Sequence, residues 1–430
     1  MAEKNWSGNV TYSASHVERP EKLVHAQELI ASAERVRMVG TRHSFTHIAD
    51  GDVMLDATAL PEYLELSADR STVRVNAGMT YGRLAELLSP MGLTVSNFAS
   101  LPHISIAGAV ATGTHGSGLA NPNLSAAVKA VQLITATGEL VEFKAGDDDF
   151  DGAVVSLGAL GLVVDITLEL VPVFDVAQTI YDEVSIPEIA KDIDALMRSA
   201  YSISAFTPWP GSDGIDENNQ VWVKRRVGDE PSEAGEAFLS GLSEAGEARH
   251  PIRSLDASAC TTQLGEPGPP VDRLPHFRLD FTPSHGDEIQ SEFFVPWANA
   301  TEAILAMHAL GPNIADALMI GEIRAVAADT QWMSPHYGRD SLAFHFTWHN
   351  DQALAEDAAR RVVDALMPFG VRPHWGKVFD HRQWNGPILP RTVDFLALVD
   401  RSDPSGKFAN DWFQRVLRSY LPGHPAGGST

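Results

Sequence analysis

The 430-residue chain contains a single cysteine, Cys260. One thiol excludes an internal disulfide, a thiolate zinc site and a thiolate-held iron-sulfur cluster. Packing is the expected role of Cys260. Basic residues are also scarce: 32 Lys and Arg face 56 Asp and Glu, a formal charge of -24. Such a balance draws neither a nucleic acid nor an anionic bilayer, so neither is expected as a partner. Long apolar runs are missing too. None approaches the roughly 20 residues of a membrane helix, and the stretch from Met1 to Val10 lacks the apolar core of a secretory signal. A cytoplasmic protein is expected. No H-E-x-x-H occurs, and His43 with His47, four residues apart, has no third ligand nearby, so no metal is expected.

Hydrophobic residues make up 44% of the chain and charged ones 20%, the mix of a globular protein of two to three domains. The spacing predicts a helix over 21–34, opened by Pro20, and a strand at Val36–Val39 ending at Gly40. Short strands are expected around Met54 and Arg74, and Thr80 is a candidate cap for a helix over 81–88. The runs VKAVQLIT and ELVEF flank Ala136-Thr137-Gly138, the pattern of an antiparallel hairpin. Ser156 to Gly161 interrupts apolar residues with glycines, for a packing turn or a close approach to a ligand. Between Trp209 and Gly246 the composition shifts to Gly, Ser, Asp and Glu, read as surface connections. A last helix is expected over 411–420, followed by a Pro/Gly/Ser tail.

Two segments carry cofactor chemistry. Gly40-Thr41-Arg42-His43-Ser44-Phe45 leaves a strand and sets a histidine among small polar residues. Ser105-Ile-Ala-Gly108-Ala-Val-Ala-Thr112-Gly-Thr-His-Gly116-Ser-Gly118 adds four glycines and several hydroxyls, enough to cradle a pyrophosphate. Neither matches G-x-G-x-x-G or the P-loop, which argues against Rossmann and P-loop folds.

Together with Ala99-Ser100-Leu101-Pro102-His103-Ile104 and the closing DPSGKFAN, these segments resemble the vanillyl-alcohol-oxidase-type flavoproteins, within them the alditol oxidases. The resemblance runs from Asn5 to Asn410. It implies an α+β fold: a two-lobed FAD-binding domain over 1–174, an antiparallel-sheet substrate or cap domain over 175–383, and a C-terminal segment, 384–430, returning to the FAD domain. It also implies a covalent 8α-histidyl link from His43 to FAD. The other implied cofactor residues are Met38, Val39, Gly40, Thr41, Arg42, Ser44, Ser100, Ser105, Gly108, Ala109, Val110, Ala111, Thr112, Gly113, His115, Val164 and Asn410. Arg42 departs from the glycine that many family members carry before the linking histidine; arginine can contact phosphate.

Side chains alternate across a strand, so Glu322 with Arg324, His345 with Thr347, and Gln290 with Glu292 each share a face. A solvent-facing sheet produces the same alternation. By resemblance, however, EIRAVAAD, HFTW and RPHWGK line the substrate pocket, which implicates Ser100, Gln290, Glu292, Glu322, Arg324, His345, Thr347 and Lys377. Their mix of donors and acceptors suits a polyol. Arg324 and Lys377 suit an alkoxide-like oxygen, and His345 or Glu322 a proton acceptor, with the choice open. The expected reaction oxidises the terminal hydroxyl of alditols such as xylitol and sorbitol to the aldose, reducing dioxygen to hydrogen peroxide, in a monomer. The alternatives are an aldonolactone oxidase of the gulono- or arabinonolactone type, a polyol dehydrogenase with another acceptor, a metal hydrolase, and a non-catalytic carbohydrate binder.

Overall fold

A computed structural model describes residues 3–14, 16–210, 216–281, 287–380 and 389–418. The N-terminal half forms three small sheets, one of them the two-stranded pair Leu93–Thr94 and Val171–Pro172. Val17–Glu18, Met54–Asp56 and Arg37–Val39 pair in parallel, and Leu64–Leu66, Thr72–Asn76, Leu162–Glu169, Val128–Ile134 and Leu140–Lys144 form an antiparallel sheet in that spatial order. The hairpin turns at Gly138, whose φ of 85° favours glycine. Thr80 caps the helix Tyr81–Leu88 by accepting from the Arg83 amide. The first helix differs from expectation: it covers Leu23–Ser32 with Lys22 as its cap, so Pro20 lies outside it.

A larger, nine-stranded antiparallel sheet is built from residues 176–373. Its centre runs Gln220–Arg226, Ser202–Thr207, Leu318–Val326, Ser341–His349 and Glu288–Pro296. One face is apolar: Ile289, Phe293, Val295, Ile323, Phe344 and Phe346 are buried toward the helices Ile186–Lys191, Ala300–Leu310 and Gln352–Leu366. The other face carries the polar residues of the site. The stretch from Trp209 to Gly246 is not all surface connection. Trp209 is 1% exposed, and Val221, Trp222, Val223 and Lys224 are buried in a central strand. Its continuous apolar run Val221-Trp222-Val223 outweighs the polar composition around it. The expected boundary at 383/384 and the tail beyond Arg418 lie outside the described residues. The last helix is described over Asp411–Val416.

The closing DPSGKFAN segment is stitched to the N-terminal lobe. The Asp403 carboxylate accepts from the amides of Lys407 and Phe408 and shapes the turn. Lys407 Nζ donates to the carbonyls of Ile30 (2.6 Å), Ala31 (3.2 Å) and Ala136 (2.8 Å). Buried Arg37 donates to the carbonyls of Phe408, Leu157, Gly158 and Ile48. Lys407→Met keeps the length and removes every donor, leaving buried carbonyls unpaired. We expect it to destabilise the protein by on the order of 3 kcal/mol, read as a lower urea midpoint; an unchanged midpoint contradicts this account.

Candidate active site

A cavity of about 560 Å³ separates the N-terminal lobes from the polar face of the nine-stranded sheet. That size suits a small ligand or the buried part of a larger one. At one end lie the loop after the strand Arg37–Val39, the helix Ile106–Thr112 and the turn at Ser156–Gly158. Gly40 lets the two cofactor segments meet, since a Cβ there would come within 2.3 Å of Ser105 Oγ. Thr41 Oγ1 accepts from the Ser105 amide and lies 3.1 Å from His43 Nδ1. Burial lowers the His43 imidazole to about 4, so it is neutral at neutral pH, and its ring stacks on Trp6 at 5.4 Å. Arg42 occupies the left-handed region, with φ 61°, a conformation that glycine adopts at less cost. Its guanidinium is held by Glu3 at 3.0 Å and Asp56 at 3.4 Å rather than left for a phosphate.

Strand register assembles the opposite end. Glu292 pairs with His345 and His345 with Glu322, placing the three in one row across adjacent strands; Gln290 pairs with Thr347 in the next row. Arg324, one pleat along from Glu322, reaches Glu292 by a short hydrogen bond, Glu322 at 3.4 Å and Ser100 Oγ at 3.3 Å. Lys377 Nζ donates to the other Glu292 oxygen at 2.8 Å. His276 Nε2 lies 2.8 Å from Glu322 Oε1, and His115 Nε2 lies 3.2 Å from Glu292. Two largely buried carboxylates are therefore matched by two cations.

Electrostatics follow from this packing. Burial alone would raise both carboxyls, yet Arg324 with Lys377 holds Glu292, and Arg324 with His276 holds Glu322, well below the usual range. Burial also lowers His345, with Lys377 adding to the effect, so this imidazole is neutral at neutral pH. Its tautomer is set from outside. The Gln290 amide nitrogen donates to Glu288 at 2.6 Å, which turns its oxygen to His345 Nε2 at 3.0 Å. Nε2 must then carry the proton, leaving the Nδ1 lone pair free, 3.8 Å from Glu322.

The cavity wall includes His43, Met38 to Arg42, Ser44, Ser100, Ser105, Gly108, Ala109, Ala111, Thr112, His115, Gln290, Glu292, Glu322, Arg324, His345, Thr347 and Lys377. Four residues expected at the cofactor do not line it. Val110 lies in the core on the far side of its helix, and Gly113, with φ 68°, ends that helix against Pro335. Val164 is packed with Leu55, Leu162 and Phe408. Asn410 caps the last helix and donates to the carbonyls of His47, Ile48 and Asp50. His115 lines the cavity with Nε2 3.2 Å from Glu292 and Nδ1 2.8 Å from the Gly116 carbonyl. His276, His374 and Trp6 line the cavity without having been singled out; each stands in a loop, where periodicity gives no signal.

Comparison with known proteins matches residues 14–144 to an FAD binding domain and residues 287–416 to a D-arabinono-1,4-lactone oxidase model. The chain is 42% identical to an alditol oxidase from a Streptomyces species, over 97% of this chain and 99% of that one. It belongs to the vanillyl-alcohol-oxidase-type family of flavoproteins. An L-gulono-1,4-lactone dehydrogenase from Mycobacterium tuberculosis is more distant at 31%, over 96% and 98% of the two chains. A solved structure titled solvent-stable cholesterol oxidase superposes with a TM-score of 0.72 at 14% identity, covering 96% of this chain and 97% of its own; it speaks for the fold. Membership in this family makes the chain an FAD-dependent oxidoreductase of α+β architecture, on the alditol oxidase side of its lactone-oxidising relatives.

The residues present fit FAD. Ser105 Oγ is buried in the cavity wall without a hydrogen-bond partner. Among the described residues, no backbone carbonyl receives the amides of Arg42, His43 or Ser44. These groups, with Gly40, Thr41, Gly108 and Thr112, would hold the cofactor. Among the described residues, no cluster of His, Cys, Asp or Glu could hold a metal ion, and no helix is long and apolar enough to cross a membrane.

Proposed function

We propose that this flavoprotein oxidises the terminal hydroxyl of alditols such as xylitol and sorbitol to the aldose, with dioxygen reduced to hydrogen peroxide, and that His43 carries the FAD covalently at its 8α carbon. The observation that carries this reading is the buried row Glu292–His345–Glu322 with Arg324 and Lys377. It presents donors and acceptors in number but no uncompensated charge, which suits a neutral chain of hydroxyls. FAD, when bound, supplies the electron acceptor for the alcohol carbon.

The chain's own residues prepare the alcohol. His345 takes the hydroxyl proton at Nδ1, the lone pair left free by the Gln290 contact. Ionised Glu322 stands 3.8 Å from that atom and stabilises the imidazolium. Arg324 and Lys377 stabilise the oxygen as it becomes alkoxide-like, and Ser100 and Thr347 orient the reacting end. The FAD-binding part corresponds to residues 1–174, the sheet that carries the substrate side to 175–383, and the returning segment to 384–430. The neutral His43 retains the lone pair that a covalent link requires. We place the enzyme in the cytoplasm as a monomer.

Peroxide release by the purified protein tests the substrate class. Xylitol and sorbitol should support turnover at least about tenfold better, as kcat/KM, than L-gulono-1,4-lactone. A lactone preference overturns the polyol reading, and turnover only with an artificial acceptor overturns the oxidase reading.

A further inference from the structure

Behind Glu322, away from the cavity, stands a lysine that no carboxylate among the described residues contacts. Lys224 is 0% exposed and sits on the same sheet face as Arg324: Lys224 pairs with Ser202, and Ser204, two residues on, pairs with Arg324. Its ammonium donates to Leu274 O at 2.5 Å, Pro275 O at 3.2 Å and His276 Nδ1 at 3.2 Å. Three N–H donors meet three acceptors, which fixes the amine in place. Because His276 Nδ1 accepts from Lys224, Nε2 carries the proton and donates to Glu322 at 2.8 Å. The imidazole is wedged edge-on between Phe206 (5.2 Å) and Trp222 (5.6 Å). Its amide donates to Ser100 O at 3.1 Å, so the same loop touches the residue that contacts Arg324.

We propose that Lys224 is a positioning residue of the oxidation, acting through a neutral His276 bridge that keeps Glu322 ionised and aimed at His345. The inference rests on the role given above to Glu322 and His345. Unpaired burial of a charge is costly, and a fold that needed only packing would fill this place with an apolar side chain. The charged and titratable groups facing Lys224 are Glu322, Arg324, His276 and Cys260; those facing His276 are Glu322, Lys224 and Arg324. Burial lowers Lys224 to about 7 and His276 to about 4, so the imidazole stays neutral while the amine titrates near neutrality. Loss of the Lys224 proton makes the amine an acceptor. The His276 proton then moves to Nδ1, and a lone pair turns toward the Glu322 carboxylate. Activity that depends on the bridge is therefore held below the Lys224 value and falls as pH rises through it.

Three variants of the holoenzyme test the bridge. Lys224→Met should lose about tenfold or more in kcat/KM with xylitol and move the acid limb of its pH profile upward, because a positive charge near Glu322 is gone. His276→Leu should lose as much. His276→Gln should stay within about threefold of the parent, since its carbonyl can accept from Lys224 and its amide can donate to Glu322. Flavin content and Tm establish that each variant is folded. Histidine ¹⁵N spectra of the parent at about pH 6 supply a readout independent of turnover and should assign the Nε2–H tautomer to His276. An unmoved Lys224→Met profile, or an Nδ1–H tautomer, overturns the proposal. Inactive but folded His276→Gln also overturns it, assigning His276 a proton-transfer role instead. If the parent itself turns over no polyol, the functional reading fails, and the tautomer alone then decides whether the bridge exists.

Discussion

Arg324→Met should cost on the order of a thousandfold in kcat/KM with xylitol, the scale seen when a group that stabilises developing negative charge is removed. Arg324 is the group on which the site converges. Its side chain is 5% exposed and contacts Glu292, Glu322 and Ser100 at once. Burial already presses both carboxyls upward, and Arg324 is the chief influence holding them down, so its removal raises both. The residual activity should accordingly show an acid limb displaced to higher pH. Arg324→Lys should fall between the two, because an ammonium restores charge but cannot reach three partners with a planar fork. Steady-state peroxide release across pH measures both effects. A methionine variant within about tenfold of the parent would show that the reacting oxygen lies elsewhere.

His43→Ala should abolish covalent flavin. Protein precipitated in acid should leave a yellow supernatant and a colourless pellet, whereas the parent should keep its colour in the pellet. The ring is well placed for attachment: stacked on Trp6, beside Thr41 Oγ1, and kept neutral by burial. Noncovalent FAD should still bind through the 40–44 and 105–112 segments, so the variant should fold and retain some activity. Flavin that stays with the denatured His43→Ala chain would place the link on another residue.

The polar wall that the sheet gives the cavity is legible in the sequence because strands alternate faces. Glu322 with Arg324 and His345 with Thr347 stand out as polar pairs in apolar runs, and the register joins them. What alternation cannot show is partnership across strands. Arg324 reads as the mate of Glu322 two residues away, but its short bond goes to Glu292, 32 positions earlier. Lys224 stays hidden within a stretch whose composition suggests a surface, although Val221, Trp222 and Val223 beside it carry the signature of a buried strand. His276 sits in a proline-rich loop with no period at all. On the opposite wall both motif segments line the cavity, while individual positions depend on helix face and strand parity. Val110 and Val164 point away from the cavity for that reason. Arg42 shows the opposite case, a residue whose backbone follows the glycine pattern while its side chain does not.

The stitching of Lys407 to Ile30 has a consequence for biosynthesis. The two residues lie 377 positions apart, and Arg37 likewise awaits Phe408. On the ribosome the N-terminal lobe emerges first, yet its buried carbonyls and its guanidinium find these partners only after the whole nine-stranded sheet has been translated. The N-terminal lobe is thus completed late, after the C-terminal DPSGKFAN segment has been made.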